Sequence, residues 1–370
     1  MSLVDAAYHF HDLAAAAAVA GQRDAVRGFI EQAYTAGLMD GAGCPVLFQI
    51  RPRAELPQLA NAEHAIVRIS RDGVAFEARD DLLDGPCLAY ERLAVLGALF
   101  APIVASFGSS TKLLGGIIDL GDGTDAGDYV RVAHSSGMPQ TVLVPDPFFY
   151  ISRNYESLRA HVAQAARPWA ERKDILFWRG TATGIRLRTL GPDDALYVDW
   201  TWLPRLALCA ATRRSFYAER IDVALTDTGP ITEPYLKEAI GVAGFLKPQV
   251  PKESFADYRY LIDIDGYTNA WSLLEKMIMG ATIFKVASPS GFRQWYYEKL
   301  EPWEAYVPVS ADLSDLDEKV AWAFDHPEAC QRIAANAAEI AAQIDFTASM
   351  AAAVEAISGA LQSPSKLLMG

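Results

Sequence analysis

From Asp174 onward the sequence alternates short apolar runs with segments of helical period, and this alternation constrains the fold more than any other feature of the chain. Residues 175–178, 195–200, 221–225, 260–264, 282–286 and 306–309 read as buried strands. Helical patterns fit between several of them, at 184–190, 271–279, 292–300 and 316–325. Such strands pair in parallel through crossover helices, and right-handed crossovers bring every strand's C-terminal end to one rim. Ligands bind on that rim. The expected class is α/β.

The preceding half carries a helix over 22–38, a strand over 45–50 and a hairpin over 66–70 and 74–78, turned by Asp72-Gly73. A long apolar helix follows over 88–107. Residues 116–120 and 141–145 read as strands, and the glycine- and serine-rich stretch 121–137 between them reads as a loop. A helix is expected over 152–166, with Ser152 as its cap. Two alanine-rich helices, 328–344 and 347–361, end the pattern. At 370 residues the chain is too long for one ordinary core, so two domains are expected, divided near Pro168.

The formal net charge of −13 argues against a nucleic-acid partner, which normally meets a basic face. The four cysteines lie far apart and read as buried small hydrophobes in a reducing compartment. No basic leader and no apolar run of about 20 residues is evident, so the location read from sequence is cytoplasmic, with peripheral attachment to the inner membrane left open.

Two strand-to-helix junctions carry the candidate chemistry. In the first, Tyr260–Ile264 runs into Asp265-Gly266, then Tyr267-Thr268-Asn269-Ala270-Trp271-Ser272 opens a helix. Free backbone N–H groups and a partial positive charge at such a start suit a phosphate. The second is Phe177-Trp178-Arg179-Gly180-Thr181, followed by Thr183, Gly184, Arg186 and Arg188. Arginine offers bidentate donors to phosphate, although composition alone favours surface charges or structural ion pairs for Arg179 and Arg186, since basic residues are common at strand ends. The glycine spacing is neither a P-loop nor a dinucleotide fingerprint.

Asp119, Asp122 and Asp125 follow the 116–120 strand, and any of them suits a general base or a simple turn residue. Their spacing is not that of an EF-hand and no His or Cys joins them, so no metal is expected. His134 reads as a loop residue, and no nucleophile-elbow spacing is present.

Taken in order, Phe177-Trp-Arg-Gly-Thr181, Tyr258–Gly266, Ala281–Val286, Tyr296–Val309 and Asp312–Leu316 resemble the CAP10-like glycosyltransferases of family 90. The likeness runs from about residue 115 to 326 and is strongest after Trp169; the first hundred residues match nothing in that family. The resemblance implies a GT-B fold, with two Rossmann-like domains facing a central cleft. Residues 1–167 would bind the acceptor, 168–345 would hold the donor, and 346–370 would return to the N-terminal domain. It also implies an inverting, metal-independent transfer of a sugar from a UDP-sugar to a hydroxyl of a glycan or lipopolysaccharide, with no further cofactor. By position, Asp122 would be the base, with Asp119 as its rival. Thr181 and Arg186 would contact the donor, and Gly266 through Ser272 would wrap the nucleotide. Ser272 departs from the protein O-glucosyltransferases, which carry an arginine near it; Asn269-Ala-Trp-Ser272 looks like the bacterial lipopolysaccharide branch. Arg179, Arg186 or Lys276 would then compensate. The rival reading is an inactive sugar-binding scaffold, separable by its affinity for UDP.

Overall fold

The computed structural model describes residues 23–84, 89–123, 129–184 and 200–361. Two compact units divide the chain. One gathers Met1–Ile151, Phe292–Trp295 and Phe346–Gly370; the other gathers Ser152–Gly291 and Tyr296–Asp345. The boundary falls before the composition shift at Pro168. Asn154 and Arg159 explain why: they donate to the Ile344 and Ala341 carbonyls at 2.5 and 2.7 Å, which ties the Glu156–Ala165 helix to the second unit.

The first unit is built on a six-stranded sheet of order β1-β3-β2-β4-β5-β6. Its strands are β1 (Val46–Arg51), β2 (His64–Ser70), β3 (Gly73–Arg79), β4 (Leu114–Asp119), β5 (Val130–Ala133) and β6 (Val142–Leu143). The sheet is mixed rather than wholly parallel, because β2 runs antiparallel to both β3 and β4. The Asp72-Gly73 hairpin causes the reversal. Gly73 sits at φ 133°, where a Cβ would stand 2.2 Å from the Pro45 carbonyl oxygen, so only glycine fits this turn. Strand β5 lies within the stretch expected to be a loop. Its four residues are too short a run to stand out between glycines and serines.

Helices Arg23–Ala42, Ala89–Ser106 and Phe346–Ala360 contribute to this unit's core, with Leu38, Leu96, Phe100 and Ile357 all buried against the sheet's Phe48, Phe76 and Ile118. The expected helix over 292–300 is absent. Phe292–Trp295 groups with the first unit instead, where Arg293 and Ser136 exchange backbone hydrogen bonds of 3.1 and 3.3 Å. What remains is a single 3₁₀ turn at Tyr297–Lys299.

The second unit has a wholly parallel five-stranded sheet, β11-β10-β9-β7-β8. Its strands are β7 (Lys173–Thr181), β8 (Ile221–Asp227), β9 (Tyr258–Asp263), β10 (Thr282–Val286) and β11 (Val307–Val309). Helices Pro204–Arg214, Pro234–Val242, Leu273–Ile278, Leu316–Asp325 and Pro327–Gln343 link or cover the strands. The expected strand over 195–200 and helix over 184–190 fall largely outside the described residues, and Trp200 itself opens a 3₁₀ turn. Among the described residues no single helix is long and apolar enough to cross a membrane.

Candidate functional site

In the second unit the C-terminal ends of β7 and β9 lie side by side, because these two strands are neighbours in the sheet. Strand β9 ends at Asp263, and Ile264-Asp265-Gly266 turns the chain. The Gly266 N–H donates to the Thr268 carbonyl at 2.9 Å and closes the turn. The short helix Leu273–Ile278 then begins, with Ser272 at its N-cap position but making no side-chain cap bond. Tyr267 is exposed, Trp271 and Ser272 are half-buried, and Thr268, Asn269 and Ala270 are buried. Both amide atoms of Asn269 lack a hydrogen-bond partner, an unusual state for a buried carboxamide.

A charged cluster supports this turn from below. Asp263 is fully buried and accepts from Lys276 Nζ at 2.7 Å and Lys285 Nζ at 3.4 Å. Burial alone would raise its pKa, but the two ammonium groups outweigh it and hold the carboxyl below the ordinary range. Burial likewise lowers Lys276, against the pull of Asp263. Asp265 is pushed up to about 6, chiefly by burial, while Ser288 and Lys285 beside it pull the other way.

Strand β7 contributes the remaining residues. Arg179 is bound to Asp222 of β8 through two contacts of 2.9 Å, with Lys247 on the same carboxylate at 2.6 Å. Burial would raise Asp222, and these two cations overcome it. The guanidinium of Arg179 is therefore held in an ion pair on the neighbouring strand. Thr181 donates to Asp227 at 2.8 Å, and the same carboxylate receives the Gly229 N–H at 2.6 Å. Arg186 and Arg188 lie outside the described residues.

A cavity of about 260 Å³ opens beside the β7 end. Its lining includes Arg179, Gly180 and Thr181 from β7, Ser272, Glu275, Lys276 and Met279 from the short helix and its ends, and Gln249 and Phe255. Residues 272, 275, 276 and 279 share one helix face, so the short helix presents Ser272, Glu275, Lys276 and Met279 to the cavity together. The structure thus brings Arg179, Thr181, Ser272 and Lys276 to one space.

In the first unit the end of β4 carries the carboxylates. Asp122 pairs with Arg92, whose side chain is buried in the Ala89–Ser106 helix. Asp119 is buried and accepts the Gly121 N–H at 2.8 Å, while its other oxygen has no partner. Burial pushes it up to about 7; Glu63 and Asp122 add to that, against Gly121 and Arg92. Glu63 is also raised, first by burial and then by Asp122. A Cβ at Gly121 would stand 2.3 Å from Glu63 Oε2 and 3.1 Å from Asp119 Oδ1, so both carboxylates close on this glycine. His134 is buried directly after β5 rather than exposed on a loop. Its Nδ1 lies 2.9 Å from the Pro145 carbonyl, and burial lowers its pKa to about 3. Asp125 lies outside the described residues. Among the described residues no His, Cys, Asp and Glu side chains group as a metal site.

Three contributors escaped sequence reasoning: Arg92, Glu63 and Arg205. Arg92 had a readable signal, a lone cation in an apolar helical run. Glu63 and Arg205 had none, since only the folded chain brings Glu63 beside Gly121 and the Pro204–Arg214 helix start, with Arg205, against the Thr181 and Asp265 carbonyls.

Residues 220–348 match the family Glycosyl transferase family 90. Uncharacterized protein 179R of Invertebrate iridescent virus 6 is 40% identical over 188 residues, covering 46% of this chain and 15% of that protein. Protein O-glucosyltransferase 2 of Danio rerio is 33% identical over 115 residues, covering 31% of this chain and 23% of its own. Protein O-glucosyltransferase 3 of Homo sapiens is 38% identical over 80 residues, covering 22% and 15%. The matched part spans less than a quarter of each of these relatives. A crystal structure of Anabaena Alr3699/HepE in complex with UDP-glucose has 14% identity, 74% and 68% coverage and a TM-score of 0.35, too loose a likeness to bear on the fold. Residues 220–348, in the second unit, are thus the part of the chain that is similar to glycosyltransferase family 90.

Proposed function

We propose that this chain is an inverting, metal-independent glycosyltransferase of GT-B type. It would move a sugar from a UDP-sugar to a hydroxyl of a glycan or lipopolysaccharide. The observation that carries this reading is the rim of the parallel sheet, where the β7 end and the Leu273–Ile278 helix, which follows the Gly266 turn, line one cavity. A diphosphate suits backbone N–H groups at a glycine turn, and stabilising it as a leaving group is the chief electrostatic task of such a transfer. Thr181 and Thr268–Ser272 would hold the donor, with Lys276 and Arg186 as its cations. Arg179 would shape the wall through Asp222.

Asp122 would take the acceptor proton as the sugar carbon is attacked in line, and inversion follows from that single displacement. Its partial exposure suits contact with a substrate hydroxyl, and Arg92 would orient it. Asp119 competes on one observation, a proton affinity near neutrality. The names of the vertebrate relatives make glucose the first sugar to try. A cytoplasmic setting, with or without peripheral attachment to a membrane, belongs to the same reading.

The test is a titration with UDP and UDP-sugars, followed by product analysis with the Asp122→Asn and Asp119→Asn variants. Asp122→Asn should abolish transfer and leave UDP affinity unchanged. If that variant turns over at near the wild-type rate while Asp119→Asn is dead, the base is Asp119. Failure to bind UDP, together with no transfer to any acceptor, would favour a sugar-binding scaffold. Rates that collapse in excess chelator would defeat the metal-independent mechanism.

A further inference from the structure

We propose that Arg205 is the positioning residue of the donor site, tying the turn after β7 to the turn after β9 so that both can grip one ligand. The inference rests on the donor-site reading above. Arg205 follows Pro204 at the start of the Pro204–Arg214 helix. Its Nε donates to the Asp265 carbonyl at 3.1 Å and its Nη2 lies 3.4 Å from the Ile264 carbonyl. Its Nη1 donates to the Thr181 carbonyl at 3.0 Å and to Thr183 Oγ1 at 2.6 Å. Two acceptors thus lie on each of two separate turns, and one planar fork spans them.

Two further observations support this role. The side chain is half-buried by its solvent exposure, and desolvation lowers its pKa to about 10, with Asp263 and Asp265 opposing the shift. A group so desolvated is held in place by all its bonds together. Second, Gly266 is shaped to it. A Cβ there would stand 3.0 Å from Arg205 Nη2 and 2.9 Å from Thr183 Oγ1. The glycine that makes the nucleotide turn is therefore also the one that admits the fork.

A lysine cannot replace this fork, because a single ammonium does not reach two acceptors on each side. Without it the two turns keep their own strands but lose their mutual spacing. A ligand that touches both then binds less tightly, whereas the acceptor does not sense the change. A purely structural arginine would behave otherwise. Its loss would lower the folded fraction and kcat while leaving the donor KM alone.

The experiment uses the full chain with Arg205→Lys and Thr183→Val, measuring UDP affinity by calorimetry, initial rates against donor and acceptor, and thermal melting. Arg205→Lys should weaken UDP binding on the order of tenfold and raise the donor KM in parallel, with the acceptor KM unchanged. Thr183→Val removes one acceptor and should show a smaller change of the same kind, about threefold. Should Arg205→Lys fail to fold, Thr183→Val decides alone. Variants that bind UDP like the wild type, and lose kcat only in proportion to folded protein, overturn the proposal. A wild type that does not bind UDP overturns the donor-site reading and this inference with it.

Discussion

Asp119 and Asp122 lie three positions apart on one strand end, yet their surroundings separate them. Asp122 keeps solvent access and a guanidinium partner, whereas Asp119 is sealed with one oxygen unpaired. The value of Asp119 in the folded chain stands above that of the unfolded chain. Between about pH 4 and about pH 7 the folded form therefore holds a proton that the unfolded form has released, and stability falls as pH rises through that window. Asp119→Asn keeps the uncharged shape without titrating. It should match the wild type near pH 4 and exceed its stability at pH 8, which urea melts across pH would reveal. His134 works in the opposite sense. Its folded value is lowered to about 3, so the stability it contributes is present above about pH 6.5 and is lost as pH falls. His134→Gln should flatten that acid limb in the same melts. The spacing of the aspartates was legible in the sequence. Their proton affinities were not, because burial and the approach of Glu63 and Arg92 depend on other strands and a distant helix.

At the scale of elements, periodicity identified most strands of the second unit and the long helices, because each buries a face long enough to leave a pattern. The Leu316–Asp325 helix has the bounds its pattern implied. The failures share a cause. β5 is four residues long, and within 292–300 Arg293 bridges to Ser136, just past β5, instead of continuing a helical period. The Leu273–Ile278 helix is short for its task and depends on the buried Asp263–Lys276–Lys285 cluster behind it. Lys276→Met should cost about 3 kcal/mol, since it leaves a buried carboxylate with one partner fewer; chemical denaturation would measure it. In the first unit Gly73→Ala would meet the Pro45 carbonyl and force a left-handed alanine. A loss of about 2 kcal/mol is expected from the same measurement.

At the scale of the molecule, the chain visits the first unit three times, and its last helix completes that unit's core. Ile357 is wholly buried there, and Leu361 packs over Gly116 of β4, where a Cβ would stand 2.8 Å from its side chain. Ile357→Ala should therefore destabilise by about 3 kcal/mol through the cavity it leaves. Proteolysis of that variant should open sites within residues 23–123 before sites in the second unit. A first cleavage in the second unit would contradict this.

What the sequence determined by itself is local or periodic: the α/β class, the parallel sheet after Asp174, the glycine turn after β9 and the likeness to family 90 over residues 220–348. These depend on alternation, turn residues and order along the chain, which are present in any conformation. The tertiary structure decided which of the charged residues are free to act. It committed Arg179 to Asp222 and Lys276 to Asp263, set Arg92 against Asp122, and placed Arg205 between two turns. The physical reason is that an ion pair or a half-buried fork is made by strands and helices distant in sequence. Its strength depends on desolvation, which only the packed molecule supplies.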